Sequence, residues 1–379
     1  MEISAIKYHK ILSEYFSSKA LYIDKLKSQT NIRKIVELPW QQIKSKNFNS
    51  LHQTLTDLDI FLSIFDRDHN ELWRYWNEMP STLRDFVDSY SKAIEIWRDK
   101  FGNTSRFERA LNELAHFYYL NDKKEESSRL FEEVVNLAVK LYPQDDIRVA
   151  IRKANLAATL SYKQEFSKAE SMFREVLDPY LNYFGINRYE TWAIYVGIAV
   201  CHVKLGKSEG IIEINRCLNW FKNRYGDSDY NTINLVRNLA DAMWLDGQLL
   251  ESVRLFEEAF EGFSKILSPE HPDALECSLA EKQFLELNQL FNDAMIFEGK
   301  GDFESSLEKF SQIERQVFGI NKKLLAVSMF GRAKALRALG FEGEAQIAAT
   351  DSMIFAKDSN KDLVEPLEEF LSDEGKLPP

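Results

Sequence analysis

The chain has 379 residues, 45% of them hydrophobic, and a formal charge of −11. That is enough for two domains or one elongated repeat array. The acidic balance argues against nucleic acid, whose phosphates need a dense Lys/Arg surface, and the low Gly (15) and Pro (9) content favours helices over a strand-and-turn architecture.

Residues 1–80 read as a helical segment without internal repetition. They are rich in aromatics: Tyr15, Phe16, Trp40, Phe61, Phe65, Trp73, Tyr75 and Trp76. Two stretches carry a resemblance. Tyr8-His9-Lys10-Ile11-Leu12-Ser13-Glu14-Tyr15-Phe16 resembles the last helix of the winged-helix unit in STAND-class NTPases. Arg33-Lys34-Ile35-Val36-Glu37-Leu38-Pro39-Trp40, running into Leu55-Thr56-Asp57-Leu58-Asp59-Ile60-Phe61, resembles the linker segment those proteins place between winged helix and sensor repeats. The resemblance implies the C-terminal sensor half of such a switch protein, with an NTPase or winged-helix module as partner in cis or in trans. The nucleotide site itself is missing, because no G-x-x-x-x-G-K-[ST] occurs. Gly206-Lys207-Ser208 looks like its tail, but Cys201 stands where the first glycine is needed.

Residues 81–357 repeat. Leu114-Ala115, Leu156-Ala157, Ile198-Ala199 and Leu239-Ala240 recur at steps of 42, 42 and 41 residues, within the range of helical-repeat periods. Two degenerate copies follow, around Ala294 and Ala333. In phase with the pair come a large side chain (Tyr118, Leu160, Met243, Phe297, Leu336) and a turn residue (Asp122, Gln164, Gly206, Gly247, Gly301, Gly340). A second helix then carries a small residue and an aromatic: Ala169 with Phe173, Ser252 with Phe256, Ser306 with Phe310. Each copy closes on a breaker, at Pro143, Gly185, Gly226, Ser268-Pro269 or Gly319. The small residues allow two antiparallel helices to pack closely, and glycine in the turn admits a left-handed backbone. One such hairpin cannot bury its apolar face alone, so neighbours must stack. Phe131, Phe173, Phe221 and Phe256 are expected in the core between helices.

This order of residues resembles the tetratricopeptide repeat, whose standard period is about 34 residues. The longer period is similar to the kinesin-light-chain variant, whose second helix ends near Leu-Gly followed by His-Pro; the matching pieces are Phe101-Gly102, Phe184-Gly185, Tyr225-Gly226 and His271-Pro272-Asp273. The resemblance implies an all-α fold, a right-handed superhelical α-solenoid of helix hairpins, with the first helix of each hairpin lining a groove. Past Pro272 the phase slips, which predicts one unusually long helix, or an extra turn, between Asp273 and Gly299. In the light-chain type, Asn residues just before the Leu-Ala pair bond a ligand's backbone; Asn112, Asn155 and Asn238 occupy that region here. Val196-Gly197 breaks the pattern in the third copy. By phase, Arg109, His116, Tyr119, Arg152, Asn234, Arg237, Asp241 and Trp244 join the groove candidates, against the plain alternative that they are solvated polar residues.

No catalytic or metal-binding set is expected. The six histidines are scattered, none paired with Cys, Asp or Glu at metal-ligand spacing, and no nucleophile-elbow or kinase motif occurs. Cys201, Cys217 and Cys277 lack CxxC spacing and read as reduced thiols. The start lacks the apolar core of a signal peptide, and the apolar stretch 192–201 is too short to span a bilayer. A cytoplasmic location follows, without membrane association, cofactor or enzymatic activity. The acidic segment 358–379 reads as a short capping helix to about Leu371 and a frayed tail beyond. The leading reading is a sensor that binds a protein or peptide ligand in its groove. A stand-alone cytosolic scaffold and an unrecognised enzyme on a solenoid are the alternatives.

Overall fold

The computed structural model describes residues 2–24, 29–207 and 209–372. Ser208, in the Gly206-Lys207-Ser208 look-alike, and the end of the acidic tail, 373–379, lie outside them. The described residues form nineteen α-helices and a single 3-10 turn. The chain divides into two compact units, Met1–Gly185 and Ile186–Pro379.

The first unit opens with α1 (Glu2–Ser18), α2 (Ile32–Lys44), α3 (Phe48–Thr56), α4 (Leu58–Arg67) and α5 (His69–Asn77). Asn and Asp side chains start most of these helices. Asn31, Asn47, Asp57 and Asp68 each accept a backbone N–H of the first turn, which satisfies donors the helix cannot. Buried Lys34 serves the opposite end of α1: its ammonium donates to the carbonyls of Ser17 (3.0 Å) and Lys19 (2.5 Å). Next comes α6 (Phe86–Phe101). Its Tyr90 is fully buried against Phe61, Trp76 and Trp97, and its hydroxyl donates to the Leu55 carbonyl at 3.0 Å. Helices before and after residue 80 therefore share one aromatic core.

Helix hairpins follow. In the first unit they are α7 (Ser105–Leu120) with α8 (Lys124–Leu141), and α9 (Ile147–Tyr162) with α10 (Phe166–Phe184). The second unit has α11 (Tyr189–Lys204) with α12 (Glu209–Tyr225), α13 (Tyr230–Leu245) with α14 (Leu249–Ile266), α15 (Pro272–Gly299) with α16 (Phe303–Val317), and α17 (Lys322–Ala338) with α18 (Glu342–Ser359). The short α19 (Val364–Ser372) ends the described chain, its Phe370 edge-on to Phe330 and under the Arg337 guanidinium.

All six hairpins turn the same way. Asp122, Gln164, Gly206, Gly247, Gly301 and Gly340 all have positive φ, between 56° and 86°. The next residue's N–H then reaches back to a carbonyl five residues earlier: Lys123 to Tyr118, Glu165 to Leu160, Lys207 to His202, Gln248 to Met243, Asp302 to Phe297 and Phe341 to Leu336. That bond closes the helix end and needs the left-handed residue. Above each turn the recurring alanine (Ala115, Ala157, Ala199, Ala240, Ala294, Ala333) is fully buried. The facing small residue is also buried. Where it is serine, its hydroxyl donates to that alanine's carbonyl: Ser127 to Ala115, Ser252 to Ala240, Ser306 to Ala294. The four phenylalanines expected in the core are at most 5% exposed.

The phase slip resolves as predicted. Helix α15 runs 28 residues beside first helices of 16 or 17, an excess of about 18 Å at 1.5 Å per residue. It is apolar on several sides, so periodicity alone does not mark its core face. Contact between α16 and α17 is close: a Cβ on Gly331 would fall 2.3 Å from the buried Phe310 ring.

Candidate functional site

The polar candidates fall on the first helices of the hairpins, in two groups, one per unit. In the first unit α7 and α9 lie side by side and their polar residues bond each other. Asn155 donates its amide to Asn112 Oδ1 at 3.2 Å and to His116 Nε2 at 3.1 Å. Asn112 is itself buried and donates to Glu113 Oε1 at 3.2 Å. Arg152 Nε meets Glu108 Oε1 at 2.5 Å, and the Tyr142 hydroxyl donates to the same carboxylate at 3.4 Å. Arg109 bonds both oxygens of Asp66 at 2.6 Å. The Tyr119 ring rests against Tyr162, whose hydroxyl donates to Asp122 at 2.8 Å. Burial, with the Arg152 guanidinium second, holds His116 down to about 4, so it is neutral at physiological pH. Burial pushes the Glu113 carboxyl up.

This group is a seam between neighbouring hairpins. Asn112 and Arg152, expected to face a ligand, spend their polar atoms inside the chain. The pairing was not legible because each partner lies 43 or 44 residues away, one repeat back, and the repeat pattern fixes a residue's face without fixing what stands opposite.

The second unit is different. On α13, Asp241 reaches α11 and Arg237 reaches α15, and Asn234 and Asn238 share that helix face by their spacing. Lys204 of α11 meets Asp241 at 3.1 Å. Arg237 meets Glu276 at 3.0 Å and Asp273 at 3.5 Å, both on α15, and the Tyr230 hydroxyl donates to Asp273 at 2.9 Å. Among the described residues, the amides of Asn234 and Asn238 have no hydrogen-bond partner. Asn234 Oδ1 is even buried without one. The remaining α13 candidate, Trp244, is a correction. It is 7% exposed, stacked on Phe284 at 4.1 Å with the rings 10° apart, and its carbonyl accepts from the buried Asn321. Phe284 belongs to the extended part of α15, which no other hairpin has, so an argument from phase could not place it over the indole. Lys204, Asp273 and Glu276 were missed. The helix start at His271-Pro272 signals the latter two, since it sets α15 beside α13.

Cys201, Cys217 and Cys277 are buried and form no disulfide among the described residues, and burial pushes Cys217 and Cys277 up to about 12. Among the described residues, no group of three or more His, Cys, Asp or Glu could hold a metal ion, and no helix is long and apolar enough to cross a membrane.

Stacked antiparallel hairpins with small-residue contacts and a shared left-handed turn define an all-α helical-repeat protein. Two of its segments, 109–147 and 232–273, match the family model of the tetratricopeptide repeat; the hairpins of those segments are tetratricopeptide repeats. A TPR repeat-containing protein of Dictyostelium discoideum is 32% identical over 80 residues, which is 21% of this chain and 4% of that protein, so the chain spans only a small part of the relative's length. Among solved structures, kinesin light chain nearly identical TPR-like repeats of Podosopora anserina are 16% identical, covering 67% of this chain and 96% of that one, with a TM-score of 0.36. A STAND protein with a tetratricopeptide repeat sensor from Pyrococcus horikoshii is 12% identical, covering 97% of this chain and 55% of that one, with a TM-score of 0.43.

Proposed function

We propose that this chain is a protein-interaction module that takes an extended segment of a partner along α13, between α11 and α15. The observation that carries this reading is the pair of uncommitted amides, Asn234 and Asn238, one turn apart on a helix whose charged residues are all paired. A primary amide presents both donors and an acceptor, which suits the alternating N–H and C=O of an extended backbone. The first unit offers less, because the Asn155 amide already donates to Asn112 and His116, and the Asn112 amide to Glu113.

At a finer level, the module is the ligand-sensing repeat region of a STAND-type signalling or defence protein, cytoplasmic and without an activity of its own. The stretches at 8–16, 33–40 and 55–61 support this, since they resemble the piece between winged helix and sensor repeats. Ligand capture would then bias a two-state NTPase in cis or in trans. Affinity capture from the native host tests both levels. Wild type should recover a protein that Asn234→Ala/Asn238→Ala loses and Asn112→Ala/Asn155→Ala retains, provided all three melt cooperatively. Equal capture by wild type and both variants refutes the α13 site. A partner recovered without any NTPase favours a stand-alone adaptor, and ATP hydrolysis by the purified chain refutes the sensor reading.

A further inference from the structure

The two units differ in charge. Residues 1–185 carry 27 Lys and Arg against 27 Asp and Glu. Residues 186–379 carry 21 against 32, a difference of −11, which is the charge of the whole chain. The imbalance reaches the α13 face itself. Asp241, Asp273 and Glu276 stand there against Lys204 and Arg237: three carboxylates, two cations. Arg237 is shared by Asp273 and Glu276, and the Glu276 side chain is 68% exposed. Exposed pairs of this kind are worth little. Glu276 can therefore turn to an incoming cation while Asp273 keeps Arg237 paired. Beside Glu276 on α15, Leu275 and Leu279 lie one turn apart and are 47% and 67% exposed. Farther along the helix, Glu281 and Glu286 have a single cation, Lys282, between them, so the surplus of negative charge continues past the two leucines.

We propose that the partner segment is basic and apolar, with Lys or Arg side chains that pair with Glu276 and Asp241 and aliphatic side chains that cover Leu275 and Leu279. This rests on the peptide-binding reading of α13 and adds the partner's chemistry to it. Charge complementarity selects the sign: an acidic segment would meet both the local surplus and the field of the whole second unit, and like-charge juxtaposition suppresses association. The leucines select the rest, because a purely polar basic segment would leave them in water.

Panning a phage-displayed library of random peptides against the immobilised full chain tests this. The expected winners combine Lys or Arg with Leu, Ile or Val. A synthetic copy of one winner should bind in fluorescence anisotropy, weaken several-fold as sodium chloride rises from low to physiological concentration, and weaken several-fold against Asp241→Asn/Glu276→Gln. Leu279→Ser should weaken it without changing the salt dependence. Winners that are neutral or acidic, or binding indifferent to both salt and the charge variant, overturn the inference while leaving peptide binding on α13 intact. Enrichment of nothing overturns both.

Discussion

Replacing Arg152 by methionine separates a binding surface from a structural seam. Glu108 is 1% exposed. Its carboxylate is held by Arg152 Nε at 2.5 Å, Arg152 Nη2 at 3.4 Å and the Tyr142 hydroxyl at 3.4 Å. Methionine keeps most of the aliphatic stem and removes the guanidinium, leaving a buried carboxylate with one hydroxyl donor. Breaking a buried ion pair from one side costs about 3–5 kcal/mol. Glu108 lies in the first turn of α7, where the helix dipole favours a negative charge by about 0.3–1 kcal/mol, so the low end applies. We expect a loss of about 3 kcal/mol from the first unit. With a urea m-value of about 1–3 kcal/mol/M, that moves the unfolding midpoint down by about 1–3 M. Far-ultraviolet circular dichroism during urea titration measures it. Adding Glu108→Gln should recover most of the loss, since the orphan charge is gone, with a coupling of about 2 kcal/mol between the sites. If Arg152→Met is as stable as wild type, or the double variant no more stable than the single, Glu108 does not depend on Arg152. The guanidinium would then be free for a ligand, as the repeat phase first suggested.

Two further outcomes follow from the same geometry. Gln164 holds a φ of 66° at a position where four other hairpins use glycine; Gln164→Gly should therefore raise stability by about 0.5–1 kcal/mol, once glycine's own entropy is set against the left-handed penalty, and a lower melting temperature would contradict the turn argument. His116 sits at about 4 when folded, below its ordinary value near 6.5, so the unfolded chain binds the proton first and stability falls as pH drops from 6.5 toward 4. Between pH 7 and pH 5 the loss from this group is about 2 kcal/mol, and His116→Gln should flatten the pH dependence by that amount relative to wild type; equal slopes would mean the ring is not held neutral.

What the sequence discloses is set by which features belong to one repeat and which to two. The left-handed turn is internal to a hairpin, so Asp122 and Gln164 could be placed by phase with Gly206 and Gly247 despite carrying side chains. The buried alanines are also internal. The long α15 was visible because Gly301, the turn residue, stands too far from Pro272 for an ordinary helix. Gly210 shows the limit. The other five hairpins place their small residue five positions past the turn, whereas the third places Gly210 four past Gly206, where a Cβ would fall 2.7 Å from the Val203 nitrogen. The 41-residue step to the next repeat records a missing residue, but not which contact absorbs it.

Pairing between polar side chains depends on two repeats at once, and there the sequence gives the right residues with the wrong consequence. Asn155, one position before its Leu-Ala pair, is bonded to Asn112, two positions before the preceding pair. Asn238 stands at the position of Asn155. The residue that would answer it, two positions before Ile198, is Val196, and valine offers no hydrogen bond. The break at Val196-Gly197 looks, in sequence, like a gap in a peptide clamp. By the same phase, valine there gives Asn238 no counterpart to the bond that Asn112 makes with Asn155. A ligand amide can supply on α13 the bond that Asn112 supplies to Asn155, so the irregular repeat, and not the regular ones, is where a partner's backbone would gain most by binding.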